Sequence, residues 1–371
     1  MNAPLAKPTT APVKAEAQIR VMVVDDSAAI RGFLTRWIES DPQLKVVGTA
    51  HNGKAAVDQV KGINPDIIIL DIEMPEMDGI AALPLLLKAC PNSHVIMAST
   101  LTRRNAEISL KALSAGATDY VPKPTTVGSN DAGEAFRREL VGKIVSIARS
   151  RPVRPSTTPG AGSSPARPSS GPLKLRPASS ALPQILAIGS STGGPQALGE
   201  VMKVIAPGLK VPVVITQHMP PTFTAILAET MSRNTGLVCA EAKTGDMLKP
   251  GHVYIAPGDY HMLIKGRNGP IELTQTAPEN FCRPAVDPML RSISAAYGPA
   301  MLTVILTGMG SDGCAGARVV AGGGGTILVQ DEATSVVWGM PAAVAHAGLA
   351  SGIFPLSAVG AEIRKYLGMG K

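Results

Sequence analysis

The sequence lacks the features that place a protein in a membrane or outside the cell. No window approaches the roughly 20 uninterrupted apolar residues of a membrane-spanning helix, although 45% of all residues are apolar. The N-terminal stretch MNAPLAKPTTAPVKAEAQIR has no long apolar core and is not typical of a secretion signal. We therefore expect a cytoplasmic protein with no direct membrane insertion.

Cysteine is scarce. The four cysteines, Cys90, Cys239, Cys282 and Cys314, lie far apart, and none of them forms a CxxC pair. This spacing argues against a zinc site and against a disulfide framework. We expect buried or idle thiols.

Acidic residues are absent between Arg149 and Gln184, in a stretch dominated by Pro, Ser, Gly and Ala. Much of the formal net charge of +7 lies there. Such a composition cannot bury enough apolar surface to offset the entropy of ordering, so it predicts a flexible connector and not a nucleic-acid-binding face. The chain length suits two domains, and we assign a disordered tail (1–18), a first domain (19–150), the connector (151–182) and a second domain (183–371).

Both domains are predicted to be α/β. In the first, five nearly all-apolar strands alternate with five helical patterns, which indicates a flavodoxin-like, doubly wound sheet of five parallel strands. In the second, apolar strands again alternate with helical segments, so we expect a mainly parallel sheet. The segment HVYIAPGDYHMLIKGRNGPIELTQ differs, because Gly-Asp and Asn-Gly turns divide short strands, and it predicts a small antiparallel hairpin.

Three carboxylates lie at strand ends of the first domain. Asp25 and Asp26 follow the first strand, and Asp71 closes the third. The carboxyl ends of parallel strands border a ligand crevice, where Ser99 and Lys123 also end strands. Converging carboxylates suit Mg²⁺, and the whole set suits phosphoryl transfer to a carboxylate. Taken singly, Asp26 also suits a helix cap and Asp71 a turn.

The motifs VVDDS, DIEMPEMDG, MAST and YVPKP, in this order, resemble the receiver domain of bacterial two-component response regulators over residues 19–125. The resemblance implies that Asp71 is the phosphoacceptor. It also implies a role for each remaining residue of the pocket: Asp25, Asp26, Asp71 and the backbone carbonyl of Glu73 hold Mg²⁺, Ser99 contacts the phosphoryl oxygens, Lys123 pairs with the charge, and Tyr120 is the aromatic switch residue. The first domain would then regulate the second.

The stretch LAIGSSTGGP opens the second domain with a strand followed by hydroxyls and glycines. It lacks the G-x-G-x-x-G pattern of a dinucleotide site and the G-K-[ST] of a P-loop. It does fit G-x-S-x-G, with Ser191 at a strand-to-helix turn that suits a nucleophile. A plain glycine-rich turn explains the same residues equally well.

A serine nucleophile needs a base and an orienting acid at neighbouring strand ends. His218 ends the strand VPVVITQ, and Asp312 follows the strand MLTVILTG, where it also suits a helix cap. We expect His252 and His261 in solvated turns and His346 partly buried in an apolar helix. The chain order of α/β-hydrolases would instead require Ser191, Asp312 and His346.

Five motifs in order, IGSSTGGP, TQHMPPTFT, YIAPGDYHM, ILTGMGSDG and QDEATSVVWGMP, resemble the catalytic domain of the chemotaxis protein-glutamate methylesterases, which are also protein-glutamine glutaminases. The resemblance implies that Ser191 is the nucleophile, His218 the base and Asp312 the acid. It places the oxyanion hole at Thr192 and Met309, and it implies no cofactor for the esterase step.

The same resemblance implies a function in chemotaxis adaptation. Methylated chemoreceptors would be the substrate, a chemotaxis histidine kinase the phosphodonor, and phosphorylation the activating event. We expect a monomer that binds no nucleic acid and whose receiver half covers the catalytic edge until it is phosphorylated. A DNA-binding regulator and an inactive scaffold are the alternatives, and the second half shows no helix-turn-helix pattern.

Overall fold

The computed structural model describes residues 18–123, 130–150 and 173–370. Nearly all of the predicted tail (1–18) and most of the predicted connector (151–182) lie outside these ranges. No helix among the described residues is long and apolar enough to cross a membrane.

The first domain is a doubly wound sheet with the strand order β2-β1-β3-β4-β5. All of its strand pairs are parallel, as the apolar runs predicted, and this order is typical of flavodoxin-like folds. Within the described residues its elements are β1 (Ile19–Val24), α1 (Ala28–Glu39), β2 (Leu44–Ala50), α2 (Gly53–Ile63), β3 (Ile67–Asp71), α3 (Gly79–Ala89), β4 (His94–Ser99), α4 (Arg103–Ser114), β5 (Asp119–Pro122) and α5 (Asn130–Arg149).

Side-chain caps fix where the first four helices begin. Ser27, Asn52, Asp78 and Thr102 each accept a hydrogen bond from a backbone N–H in the first turn of the following helix. These residues satisfy donors that the helix itself cannot pair. The caps therefore hold each strand-to-helix loop at the carboxyl edge of the sheet, where the predicted acidic residues lie.

The second domain has a seven-stranded sheet in the order β14-β13-β12-β6-β7-β9-β8 and a separate pair, β10-β11. Within the described residues its elements are β6 (Ile185–Ser190), α6 (Gly194–Ile205), β7 (Val213–Gln217), α7 (Phe223–Thr235), β8 (Val238–Glu241), β9 (His252–Ile255), β10 (His261–Ile264), β11 (Ile271–Thr274), α8 (Val286–Tyr297), a 3₁₀ turn (Gly298–Ala300), β12 (Met301–Ile305), α9 (Cys314–Gly322), β13 (Thr326–Gln330), α10 (Met340–His346), β14 (Gly352–Phe354) and α11 (Leu356–Tyr366). The predicted mainly parallel sheet is confirmed.

The predicted antiparallel segment is only partly antiparallel. β9 pairs in parallel with β7 and β8 inside the main sheet, whereas β10 and β11 pair antiparallel around the turn at Asn268 and Gly269. The apolar run of β9 is buried like the other central strands. Burial on both faces explains why it belongs to the parallel sheet.

The two domains contact each other through α4, β5 and the first helices of the second domain. The ring of Tyr120 stacks on Phe223 with centroids 4.5 Å apart. Gln196 Nε2 donates to the carbonyl oxygens of Leu113 and Ala117. Both aromatic rings are buried, so much of this contact is an apolar core shared by the domains.

Residues 173–182 belong to the predicted connector, yet they lie against the second domain. Leu173 packs against the core that contains α8 and α9. The guanidinium of Arg176 donates to the carbonyl oxygens of Gly325 and Ala321, and its backbone N–H donates to Ala350. The last part of the predicted connector is therefore attached to the second sheet.

Replacing Arg176 with alanine should lower the free energy of unfolding of the second domain by about 1–2 kcal/mol, because two carbonyl oxygens lose a charged donor. Chemical unfolding of the full chain measures this. Exposed Lys174 is the matched control, and Lys174→Ala should change stability by less than about 0.5 kcal/mol. Equal effects of the two substitutions would show that Arg176 does not anchor the segment.

Candidate functional site

The predicted acidic pocket forms at the carboxyl edge of the first sheet. Carboxylate oxygens of Asp25, Asp26 and Asp71 lie within 4.8 Å of one another. Lys123 Nζ is 2.6 Å from Asp25 Oδ2 and 2.7 Å from Asp71 Oδ1. Three converging carboxylates supply the hard oxygen donors that Mg²⁺ prefers, so the residues present fit this ion.

Burial raises the pKa of Asp71 to about 6, and the charge and hydrogen bond of Lys123 only partly oppose this effect. Ionising the buried carboxyl group of Asp71 therefore costs free energy. A further positive charge in the pocket would reduce this cost. This is the electrostatic setting expected for a carboxylate that binds a cation.

The other residues assigned to the pocket lie around it. Ser99 is buried at the end of β4, and its hydroxyl accepts a hydrogen bond from Ser109 Oγ. The side chain of Glu73 is exposed. Tyr120 is buried with its ring against Phe223, so the predicted switch residue contacts the second domain directly.

Ser191 and His218 lie side by side because of the register of the second sheet. Ser190 of β6 pairs with Gln217 of β7, so Ser191 and His218 are the next residues along two parallel strands, which lie about 4.8 Å apart. The N–H of His218 donates to the carbonyl oxygen of Ser190. Ser190 itself is buried and donates to Gln217 Oε1, as suits a packing residue.

The turn after Ser191 requires glycine. Gly193 has φ 76°, in the left-handed region, and a Cβ there would lie 2.6 Å from a methyl group of Val336. Any larger residue would be strained and would displace Val336. This turn starts α6 and keeps Ser191 at the edge of the sheet.

His218 and Asp312 form a hydrogen-bonded pair, with Nε2 2.7 Å from Oδ2. Asp312 is 1% exposed and also accepts N–H donors from Val286 and Asp287. Because a carboxylate only accepts, Nε2 of His218 carries a proton, and in the neutral ring Nδ1 then keeps its lone pair. In that neutral state the second ring nitrogen is basic.

Two opposing effects act on His218. Burial lowers its pKa, but the hydrogen bonds to Asp312 and Cys282 outweigh burial and raise it above the ordinary value. Burial likewise raises the pKa of Asp312, yet the hydrogen bond and charge of His218 lower it overall. The environment thus favours the ion pair of imidazolium and carboxylate, the state in which a base has taken up a proton.

Three further side chains surround this pair, and sequence reasoning did not assign them. Asn280 Nδ2 donates to Asp312 Oδ1 and to Asp287 Oδ2, each at 3.0 Å. Cys282 Sγ lies 3.4 Å from Nδ1 of His218. The signal available in the sequence was the group of polar residues that lies just before and at the start of α8.

The other histidines of the second domain differ from their predictions. His252 begins β9 and is half-buried, so its expected solvated turn is wrong. His346 is exposed and lies edge-on to Trp338, whereas the imidazole that pairs with Asp312 belongs to His218. The expected partial burial of His346 is therefore wrong. His261 is 1% exposed, with its ring between Ala277 and Ala285, so its expected solvated turn is wrong as well.

The predicted oxyanion residues lie on either side of Ser191. Thr192 is buried, and its carbonyl oxygen accepts a hydrogen bond from Thr307 Oγ1. Met309 is half-buried and faces Gly142 of α5, where a Cβ would lie 3.4 Å from its sulfur. The role of both residues as oxyanion donors stays a prediction.

Comparison with known proteins identifies the family. The family model "CheB methylesterase" matches residues 186–363, and "Response regulator receiver domain" matches residues 21–129. A protein-glutamate methylesterase/protein-glutamine glutaminase of Rhodospirillum centenum is 52% identical over 93% of each chain. The present chain belongs to the CheB methylesterase family.

Other members and structures are also similar. A protein of the same name from Azospirillum brasilense is 50% identical over 94% of this chain and 92% of its own. The crystal structure of the Thermotoga maritima CheB methylesterase catalytic domain is 40% identical and covers 49% of this chain and 98% of its own, with a TM-score of 0.48.

In this CheB family member the receiver helix α5 packs against the loops that follow β12 and β13. Val337 belongs to the same apolar core as Leu140 and Ile144 of α5. Ser150 Oγ donates to the carbonyl oxygen of Val336 at 2.6 Å. The first domain thus touches the loops that form the edge of the candidate active site.

The protonation of His218 can be measured by NMR titration of its ring. Its midpoint should lie above 6.5, and Asp312→Asn should lower it, because the carboxylate that stabilises the imidazolium is lost. A raised folded-state pKa adds stability that is complete below pH 6.5 and disappears as the pH rises through the folded pKa. A midpoint unchanged by Asp312→Asn would contradict the pairing.

Proposed function

We propose that this protein is a phosphorylation-activated protein-glutamate methylesterase and protein-glutamine glutaminase that acts in chemotaxis adaptation. The observation that carries the proposal is the His218–Asp312 pair at the strand end next to Ser191. A base oriented by a buried acid beside a serine is the arrangement that activates a hydroxyl for acyl transfer. The names of the family members supply the substrate class.

In the proposed reaction Ser191 Oγ attacks the γ-carbonyl of a glutamyl methyl ester while Nδ1 of His218 takes the hydroxyl proton. Asp312 stabilises the imidazolium through Nε2. The proton then passes to the leaving methanol, and water activated by the same nitrogen hydrolyses the acyl-enzyme to glutamate. With a glutamine side chain the leaving group is ammonia.

Backbone donors would stabilise the negative charge that develops on the carbonyl oxygen. We assign this role to the region of Thr192 and Met309, which lie in the loops that precede α6 and follow β12. A preorganised oxyanion donor is usually worth about 3–4 kcal/mol of barrier lowering. This half of the reaction uses backbone groups and requires no cofactor.

The first domain would receive the phosphoryl group on Asp71 from a chemotaxis histidine kinase. Asp25, Asp26, Asp71 and the backbone carbonyl of Glu73 would hold Mg²⁺, which when bound neutralises charge during phosphoryl transfer. Lys123 would then pair with the phosphoryl charge and Ser99 with its oxygens. Tyr120, stacked on Phe223, connects this pocket to the second domain.

Regulation would follow from the position of the first domain. Its helix α5 lies against Met309 and Val336, which border the turn of Ser191. We infer that the unphosphorylated receiver restricts access of a chemoreceptor helix to this rim, and that phosphorylation weakens the contact. The enzyme is proposed to act as a cytoplasmic monomer on methylated chemoreceptors and not on nucleic acid.

Ser191→Ala should lower methanol release from methylated receptor membranes by at least about 1,000-fold, since the neighbouring residues Ser190 and Thr192 are buried. Phosphorylation of Asp71 should continue, which shows that the fold is intact. Ser190→Ala is the matched control and should lose far less, because Ser190 only packs against Gln217. Full activity of Ser191→Ala would leave an inactive scaffold or another nucleophile as the explanation.

Removing the first domain, to leave residues 173–371, should raise the esterase rate. Coupling between two sites commonly amounts to about 5- to 150-fold, and the gain should fall in this range. In the full chain a phosphodonor should produce a similar rise that Asp71→Asn abolishes. An unchanged or lower rate in the fragment would rule out inhibition by the receiver.

A further inference from the structure

A thiol occupies the free nitrogen of the candidate base. Cys282 Sγ lies 3.4 Å from Nδ1 of His218, and Nε2 of the same ring lies 2.7 Å from Asp312 Oδ2. In the neutral ring, with its proton on Nε2, Nδ1 is placed to accept the proton of the thiol. Cys282, His218 and Asp312 therefore form a nucleophile, a base and an orienting acid in sequence, the arrangement that activates a cysteine.

A strained turn holds Cys282 in this position. Glu279 and Cys282 exchange two backbone hydrogen bonds, of 2.9 and 3.1 Å, around Asn280 and Phe281, whose φ angles are 51° and 63°. A left-handed phenylalanine is strained. The turn is held by the hydrogen bond of Asn280 to Asp312 and by the ion pair of Glu279 with Arg291.

The turn also leaves the thiol within reach of small molecules. Cys282 is half-buried, and the neighbouring Phe281 is 87% exposed. Cys90 and Cys239 are buried. Cys314 is half-buried like Cys282, but its thiol donates to the carbonyl oxygen of Ala343 and burial raises its pKa.

We propose that Cys282 is a second nucleophile of this site, one that reacts with soft electrophiles and in particular with hydroperoxides. For Cys282 this proposal replaces the expectation of an idle thiol, because the candidate base lies next to it. The proposed reactivity of the thiol is independent of the proposed esterase function. Only the effect of thiol modification on ester hydrolysis rests on that function.

The reaction with a hydroperoxide balances as follows. Sγ attacks the terminal peroxide oxygen, an S–O bond forms and the O–O bond breaks. The thiol proton passes to Nδ1 of His218 and then to the leaving oxygen, which departs as water or an alcohol. Sulfur is oxidised by two electrons to a sulfenic acid and the peroxide is reduced, and a thiol reductant reverses the change.

The oxidised side chain would interfere with ester hydrolysis. Its new oxygen lies beside Nδ1, the nitrogen that must take the proton of Ser191. The two nucleophiles share one base, so modification of Cys282 should stop the reaction of Ser191. Reduction should restore it.

The first test measures alkylation rates in the full chain with iodoacetamide, by mass spectrometry of each cysteine. Cys282 should react about 100-fold faster than Cys314, the lower end of what an adjacent base supplies. His218→Gln should remove most of this difference while the rate of Cys314, the internal control for folding, stays constant. Equal rates of Cys282 and Cys314 in the unaltered chain would overturn the proposal without any variant.

The second test uses hydrogen peroxide followed by dithiothreitol, with methanol release and sulfenic acid at Cys282 as the two readouts. Peroxide should abolish methanol release reversibly in the unaltered chain, and whatever rate Cys282→Ser retains should resist peroxide. Peroxide inhibition that persists in Cys282→Ser would contradict the proposal.

Ser191→Ala separates this proposal from the proposed function. Cys282 should still be oxidised in this variant, since Ser191 takes no part in the thiol reaction. If Ser191→Ala hydrolyses esters while its Cys282 is oxidised, the esterase assignment fails and the thiol assignment stands. If Ser191→Ala loses hydrolysis and its Cys282 stays unmodified, the thiol assignment fails alone.

Discussion

The hydrogen bond between His218 and Asp312 is the interaction on which the candidate active site depends. It joins the ends of β7 and β12, two strands that do not neighbour each other in the sheet, across the end of β6 where Ser191 lies. Because the carboxylate of Asp312 only accepts, Nε2 of His218 carries a proton in this bond. With Nε2 bound to the acid, Nδ1 is the remaining ring nitrogen, and the roles proposed for Ser191 and for Cys282 both rest on it.

The surroundings of Asp312 explain why this pair is stable. Its carboxylate accepts backbone N–H groups of Val286 and Asp287 at the start of α8, as well as the side-chain amide of Asn280. Charge-assisted hydrogen bonds of this kind are stronger than neutral ones, and they offset the burial of the charge. The N-terminus of α8 and the turn before it thus fix the position of Asp312, and Asp312 in turn fixes the position of His218.

The sites at the carboxyl edges of the two sheets differ in their electrostatics. In the first domain Asp71 is buried close to Asp25, with the single charge of Lys123 between them, which favours the arrival of a cation. In the second domain the buried acid already has its partner in His218. The stacked rings of Tyr120 and Phe223 lie between the domains. Packed side chains therefore connect the surroundings of Lys123 to the second domain.

The sequence by itself determined the two parallel sheets and the strand ends at which Asp25, Asp71, Ser191, His218 and Asp312 lie, because apolar runs and loop glycines are local properties of the chain. It indicated that these residues converge, but it did not determine which other side chains surround them. The burial of His261, the exposure of His346 and the place of β9 in the main sheet depend on packing between distant segments. The same holds for Cys282, which local spacing marked as idle and which only the turn folded against His218 brings to a base. Pairing across the sheet is a long-range property, decided by register and by the loops that cover the rim, and tertiary structure alone supplies it.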